Sequence, residues 1–429
     1  GHGLHDANPP RSPFSKGEVE SGNLNAHTSI PPFAKGGLGG ISAAFVSTNS
    51  VTQGEQVGVL WPDLLRRGVQ LHFAHRTFQW MSEAKGKAAV HCVIIGFGLQ
   101  EASHKTIFEY ADIQSEPHAI PANNINPYLI DAPSVVLQKR TEPFCNVPKM
   151  LKGCQPTDGG NLLLNAAEKN DLLAKEPLAE KWIKPLLGAE EFINGIERWC
   201  LWLVGIPPSE LRAMPEVLKR VDAVRRMRLN SSDQGTRKLA ERPTQFREAE
   251  MPKSYVLIPS VSSERRKYVP IGLYDENTIS TNLNLIIPNA TFYHFGILTS
   301  TMHNAWMRTV CGRLKSDYRY SAGIVYNNFP WPEPTDAQRK TIETAAQAVL
   351  DARAQFPDST LADLYDPLAM PPELVRAHQA LDRAVDAAYG KKHFASEAER
   401  VAFLFEHYQA ITSLLPAVSA KKTKKPQSS

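Results

Sequence analysis

Two short strings in this sequence combine residue types that could do chemistry. Asn8-Pro9-Pro10 is the first. An Asn side-chain oxygen and the carbonyl held by the following Pro can both accept hydrogen bonds from an exocyclic amino group. Two acceptors there would draw the nitrogen lone pair out of conjugation with a base ring and position it toward an electrophilic methyl group. The same three residues are also an ordinary loop signal, and both readings stay open on the string alone. The second string is Gly312-Arg-Leu-Lys-Ser-Asp317, in which Lys315 and Asp317 stand two apart. On an extended backbone they would project from one side. Lys could then donate to guanine O6 or N7 and Asp accept from cytosine N4, so the pair could address one G·C base pair.

Charge distribution says more than total charge. The formal balance is 48 − 44 = +4, which Lys421, Lys422, Lys424 and Lys425 account for by themselves. Residues 212–268, however, hold fourteen Lys or Arg against seven Asp or Glu, a local excess of +7. Within or beside that stretch, Arg225, Arg226, Arg228, Arg265, Arg266 and Lys267 have no paired acceptor that would make them base-selective, so phosphate contact is the expected role. Arg313 and Arg319, flanking the Lys315/Asp317 pair, are given the same phosphate-backbone role. A solvated surface is the competing reading. Several other features read as structure. His72 and His75 stand i, i+3 in a strand and so on opposite faces, which argues against a metal pair. Five cysteines with no CxxC spacing argue against a zinc site or a disulfide framework, and no metal is expected. His91 and Cys92 are expected to pack, as are Trp199 and Trp202. Glu190, Glu191 and Glu264 form no evident acid/base couple.

The elements that must position these strings follow from periodicity. A length of 429 residues implies two or three packed units. Ala43 to Ser47, Gln70 to His75 and Ala88 to Gly96 read as strands, with a helix from Glu55 to Arg67 stopped at Gly68. Residues 115–190, rich in Pro and Asn, read as an irregular connector. Three apolar stripes, Ile342 to Leu350, Leu374 to Ala388 and Val401 to Ile411, predict a helical bundle. Between 340 and 410 seven basic residues face eleven acidic ones, so that bundle is not the main phosphate surface. No run approaches the roughly 20 apolar residues of a membrane span, and no secretory pattern opens the chain, so the expected location is the cytoplasm.

The order of longer motifs resembles a known family. Phe45-Val-Ser-Thr-Asn-Ser50, Thr52-Gln-Gly-Glu-Gln-Val57, His72-Phe-Ala-His-Arg76, Glu83-Ala-Lys-Gly-Lys-Ala88, Asn126-Pro-Tyr-Leu129, Arg198-Trp-Cys-Leu-Trp202, Ser262-Ser-Glu-Arg-Arg266, Cys311-Gly-Arg-Leu314, Tyr318-Arg-Tyr-Ser321 and Tyr326-Asn-Asn-Phe-Pro-Trp331 are similar to those of MmeI-like DNA methyltransferases, the fused Type IIL restriction–modification enzymes. The likeness runs over most of the chain from about residue 41.

It implies an adenine-N6 methyltransferase using S-adenosylmethionine, acting on double-stranded DNA. The implied fold is α/β followed by α+β: the rear of a Rossmann-like class I methyltransferase sheet, a target-recognition domain and a C-terminal helical bundle. The expected segments are an irregular 1–40, a catalytic 41–115, a connector and recognition domain over 116–332, helices over 333–415 and a Lys-rich tail over 416–429.

In such enzymes an aromatic ring follows Asn-Pro-Pro and stacks on the extruded base; Arg11 stands there instead. Pro31-Pro32-Phe33-Ala34-Lys35 is similar to the motif, with Ile30 in the Asn place. Gly36 to Gly40 lacks the preceding strand of a cofactor loop. The expectation is a carboxyl-terminal portion whose cofactor-binding half lies elsewhere, on a partner chain or upstream. The alternative is a non-catalytic DNA-binding module or a split subunit.

Overall fold

The computed structural model describes residues 42–80, 90–111, 115–248 and 250–413. Asn8, Pro9, Pro10, Arg11, Gly36 to Gly40 and the Lys-rich tail lie outside the described residues. The first sheet is built from β1 (Ser42–Thr48), β2 (Gln70–Trp80), β3 (Val90–Gly98), β4 (Lys105–Tyr110) and β5 (Pro117–Ala122), in the order β1-β3-β2-β4-β5. Neighbours are antiparallel except β2 and β4, which run parallel. Between β1 and β2 the Gly54–Arg66 helix buries Val57 and Trp61. Pro62 lies inside that helix and cannot donate to the Gly58 carbonyl four residues back. The freed carbonyl accepts from Gln138 Nε2 at 3.4 Å.

The sequence reading placed β1 to β3 and the helix within a few residues of their ends. It missed the strands of the Pro-rich connector. Pro121 sits within β5, opposite Thr106, because an outer strand needs no donor on its unpaired side. The connector also forms β6 (Leu151–Lys152), β7 (Leu163–Leu164), β8 (Ile183–Leu187) and the Ala166–Lys175 helix, whose Asn165 and Glu168 make a reciprocal capping box.

Beyond it come β9 (Trp199–Leu201), β10 (Ser254–Pro259), β11 (Val261–Ser262), β12 (Gly272–Asp275), β13 (Ile279–Ser280), β14 (Asn284–Pro288), β15 (Gly312–Leu314) and β16 (Asp317–Arg319). They form three small sheets, β12-β10-β14-β6, β13-β8-β9-β7 and β11-β16-β15. The last of these carries the candidate base-reading pair.

Three long helices close the described chain, Asp336–Ala354, Pro372–Ala388 and Glu397–Ser413, with the short Leu361–Leu364 helix between the first two. The predicted stripes are the buried ones, with Ile342, Ala346 and Val349, then Leu374, Leu381 and Val385, then Val401, Leu404, Phe405 and Tyr408 turned inward. Each Ile, Val, Leu or Phe among them contributes about 1.5–3 kcal/mol on burial. They share one hydrophobic cluster with Val57 and Trp61 of the first helix and with Trp306 and Phe329. A second cluster gathers Leu164, Leu186, Leu201, Val217, Val221 and Val224.

Candidate nucleic-acid interface

The Thr301–Val310 helix delivers the chain to the candidate site. Ser300 caps its N-terminus and Met302, His303, Ala305, Trp306 and Val310 bury it, with Trp306 Nε1 donating to the Val325 carbonyl at 3.0 Å. Such a buried helix is a rigid support. Immediately after it, β15 and β16 pair in register Gly312↔Arg319, Arg313↔Tyr318 and Leu314↔Asp317. Lys315 and Ser316 are therefore the two turn residues of a hairpin, and Lys315 has φ +57. The expectation of an extended backbone at Lys315 is thus corrected: a tight turn between antiparallel strands demands positive φ. Proximity of Lys315 to Asp317 comes from the turn rather than from strand alternation.

Cross-strand partners project to the same side of a sheet, which sorts the hairpin's side chains. Arg313 and Tyr318 share the inward side. Tyr318 is buried and the Arg313 guanidinium lies 4.0 Å from its ring centroid. Arg313 Nη1 also donates to the Ser316 carbonyl at 2.8 Å and to Glu264 Oε2 at 3.3 Å. Leu314, Asp317 and Arg319 share the opposite side. There Leu314 is 51% exposed, Arg319 is exposed and Asp317 is half-buried. Lys315 is exposed at the turn. Leu314 was not singled out from sequence, because an apolar residue in a short strand reads as core.

The predicted phosphate contacts divide. Arg225 and Arg226 are exposed on the Pro215–Leu229 helix, as are Arg265 and Lys267 in the segment after β11. Arg266 is half-buried; burial pulls its guanidinium below the ordinary value, and the nearby Asp317 and Asp366 oppose that shift. Arg228 is a correction. It continues the buried stripe of Val217, Val221 and Val224, is 0% exposed, and donates to the carbonyls of Pro156, Thr157, Leu239, Arg242 and Gln245. It cannot meet a phosphate there; it satisfies loop backbone. Arg313, inward and bound to Glu264, is not a surface contact either.

The residues given structural readings have structural partners. His72 Nε2 lies 2.8 Å from the Gln100 carbonyl, and His75 Nδ1 lies 2.8 Å from the Tyr110 hydroxyl. Trp202 packs edge-on against Phe246, and Lys169 Nζ lies 4.1 Å from the Trp199 ring centroid. Glu191 pairs with Arg198 at 2.8 Å. Asn327 and Asn328, which follow Tyr326, donate to the carbonyls of Arg140 and Gln138 and so pin the connector.

Between the hairpin and the first sheet lies a polar cavity of about 210 Å³, lined by residues that include Gln53, Arg76, Thr77, Glu109, Arg308 and Arg313. Here Gly54, with φ +61, packs so closely that an added Cβ would lie 3.0 Å from Gly312 Cα. No local pattern announces this grouping, because its members come from separate stretches of chain, around Gln53, Arg76, Glu109 and Arg308.

Comparison with known proteins defines the class first. The model of the MmeI DNA-methyltransferase domain matches residues 35–109, that of the MmeI target recognition domain residues 131–333, and that of the MmeI C-terminal domain residues 334–416. The chain is built as a methyltransferase segment followed by a target-recognition segment. It belongs to the MmeI-like family of Type IIL restriction–modification methyltransferases. It is 42% identical over 370 residues to DNA methyltransferase A of Bacillus subtilis (strain 168), covering 86% of this chain and 41% of that protein. The structure of the Type IIL restriction–modification enzyme MmeI in complex with DNA is 54% identical with a TM-score of 0.78, covering 87% of this chain and 50% of that one. The chain thus spans half or less of the length of these relatives.

Proposed function

We propose that the chain reads a duplex DNA sequence through the β15–β16 hairpin and forms the rear part of an S-adenosylmethionine-dependent adenine-N6 methyltransferase. The observation that carries this reading is the hairpin itself. A buried helix presents Lys315 at a two-residue turn and Asp317, Arg319 and Leu314 on one outward side, inside the segment matched by a target-recognition domain. Lys315 and Asp317 would read one G·C pair, a contact worth about 1–3 kcal/mol of discrimination. Arg225, Arg226, Arg265, Arg266, Lys267 and Arg319 would meet phosphates and supply salt-dependent affinity. The segments would divide near 115/116 and 332/333, and cellular DNA as the substrate would place the protein in the cytoplasm. Among the described residues, no helix is long and apolar enough to cross a membrane.

S-adenosylmethionine would supply the methyl group. The described residues do not fit it: the cavity beside the sheet is walled by three Arg, a Glu, a Gln, three Thr, two Tyr and a Leu and lacks the strand, glycine loop and helix that hold such a nucleoside. Among the described residues the first sheet ends at β1, where Phe45 is 62% and Val46 52% exposed. A further strand-bearing segment would find an open edge there, and we assign cofactor binding to it. Asn8 and Pro9 would orient the adenine amino group, with Pro10 completing the motif. One observation favours a second reading, a DNA-binding module without catalysis: Arg11 follows Asn8-Pro9-Pro10 where the base needs a stacking ring.

Methyl transfer from labelled S-adenosylmethionine to duplex adenine, measured for this chain alone and with an added polypeptide carrying a strand, glycine loop and helix of the cofactor-binding kind, separates the readings. Incorporation only in the mixture is expected. Duplex binding with no incorporation in either sample would establish the module instead.

A further inference from the structure

The Thr301–Val310 helix, which leads into the β15–β16 hairpin, is gripped at both ends by carboxylates of the C-terminal helices. At its N-terminus Asp382, on the Pro372–Ala388 helix, accepts from the Thr301 backbone N–H at 2.6 Å and from the Thr301 hydroxyl at 2.5 Å. At its C-terminus Arg308 makes a bidentate pair with Glu397, the first residue of the last helix, at 2.9 and 2.5 Å. Both contacts suit the helix dipole, with an anion at the start and a cation in the last turn.

The same anchors reach the basic segment after β11. Tyr268 donates its hydroxyl to Asp382 at 2.7 Å, and Arg308 Nη1 donates to the Lys267 carbonyl at 2.8 Å. Asn304, between the two anchors, accepts from the Val269 N–H at 2.9 Å. The helix and the segment carrying Arg265 to Lys267 are thus tied to each other and to the C-terminal helices.

Burial and aim have different causes here. Met302, Ala305, Trp306 and Val310 bury the helix, but apolar contact is non-directional and fixes sliding and tilt poorly. Two directed anchors about 10 Å apart along the axis, at 1.5 Å per residue, restrain both. The bidentate pair also fixes an angle. Because the hairpin begins at Gly312, two residues past the helix, a tilt of the helix carries Lys315 and Asp317 with it. A binding constellation has to be held within about 0.5 Å of its working geometry. The bundle itself, with seven basic residues against eleven acidic ones between 340 and 410, is a poor phosphate surface.

We propose that Asp382 and Glu397 are positioning residues, through which the C-terminal helices set the aim of the reading hairpin while touching no base themselves. The assignment rests on the DNA-reading function above and gives the C-terminal segment a part in specificity.

The full chain would be compared with Asp382→Ala, Asp382→Asn, Glu397→Ala and Glu397→Gln for binding to the preferred duplex and to one with the hairpin's G·C pair replaced by A·T. Asn and Gln keep an acceptor oxygen and control for the lost charge; Ala keeps no acceptor. The preference for the G·C duplex should fall about ten-fold in the Ala variants and stay within about two-fold in the amide variants. Val349→Ala, which opens the fully buried core of the same bundle away from both carboxylates, separates aim from stability and should keep the preference. Unchanged preference in the Ala variants, or an equal loss in Val349→Ala, overturns the assignment while the DNA reading stands.

If the unaltered chain prefers no duplex, that reading fails first, and hydrogen exchange of residues 312–319 decides the anchors. Exchange about ten-fold faster in Asp382→Ala and Glu397→Ala than in Val349→Ala would keep both as supports of the hairpin. Equal exchange in the three variants would remove them.

Discussion

Arg225, Arg226 and Arg228 lie within four residues, yet they do opposite work. Arg228 faces inward, where its guanidinium serves five loop carbonyls. Replacing it with Met should leave those acceptors unsatisfied and lower stability by about 3–5 kcal/mol, read from chemical unfolding. Arg225→Gln and Arg226→Gln should leave unfolding within about 0.5 kcal/mol of the original while each makes the salt dependence of duplex binding shallower. Composition could not tell these arginines apart. The helical spacing of Val217, Val221, Val224 and Arg228 could have, because Arg228 falls on the apolar stripe.

Histidine supplies a second prediction at this scale. Burial takes His303 down to about 3 and His294 to about 4, Arg339 adding to the latter. Above the ordinary value near 6.5 both folded and unfolded states are neutral. Below it the unfolded chain binds protons that the folded chain refuses, so stability falls as pH drops from 6.5 toward 4. His303→Gln should remove about 1.4 kcal/mol per pH unit from that slope, measured by denaturant unfolding between pH 6 and 4.5. An unchanged slope would show that His303 titrates normally.

At the scale of elements, the hairpin combines a strained turn with an outward working side. Lys315 in the left-handed region costs about 1 kcal/mol relative to glycine. Lys315→Gly should therefore raise stability by up to about that amount and weaken discrimination at one base pair. Increased stability with unchanged base preference would detach Lys315 from recognition. The regular elements were legible because their apolar residues repeat at 3.6 or 2 positions: the three C-terminal helices, β1 to β3 and the first helix all follow that rule. The connector was not, because Pro reads as a breaker, and whether Pro121 lies in an outer strand depends on pairing partners that the local sequence does not contain. The hairpin register was hidden for a related reason, since strands of three residues carry too little alternation to locate a turn.

For the whole molecule, motif order identified the family. The cavity at the sheet, by contrast, depends on Gln53, Arg76, Glu109, Arg308 and Arg313 meeting through tertiary packing, which no local pattern announces. Recognition and methyl transfer would draw on different parts of the molecule. The proposed DNA reading would rest on a hairpin held by a continuous core that includes Trp306, Phe329 and the C-terminal helices, whereas the proposed methyl transfer would depend on a segment covering Phe45 and Val46. A polypeptide supplying that segment should protect the β1 amides from hydrogen exchange by pairing them; no added protection would contradict this complementation.

The most direct measurement is selection of bound sequences from a pool of random duplexes at low salt, carried out with the unaltered chain and with the Lys315→Asp, Asp317→Lys exchange. A defined site should emerge, and the exchange should change preference at one G·C pair while leaving the other positions intact. Recovery of no common sequence by the unaltered chain, or of the same site by both proteins, would contradict reading of DNA by this hairpin.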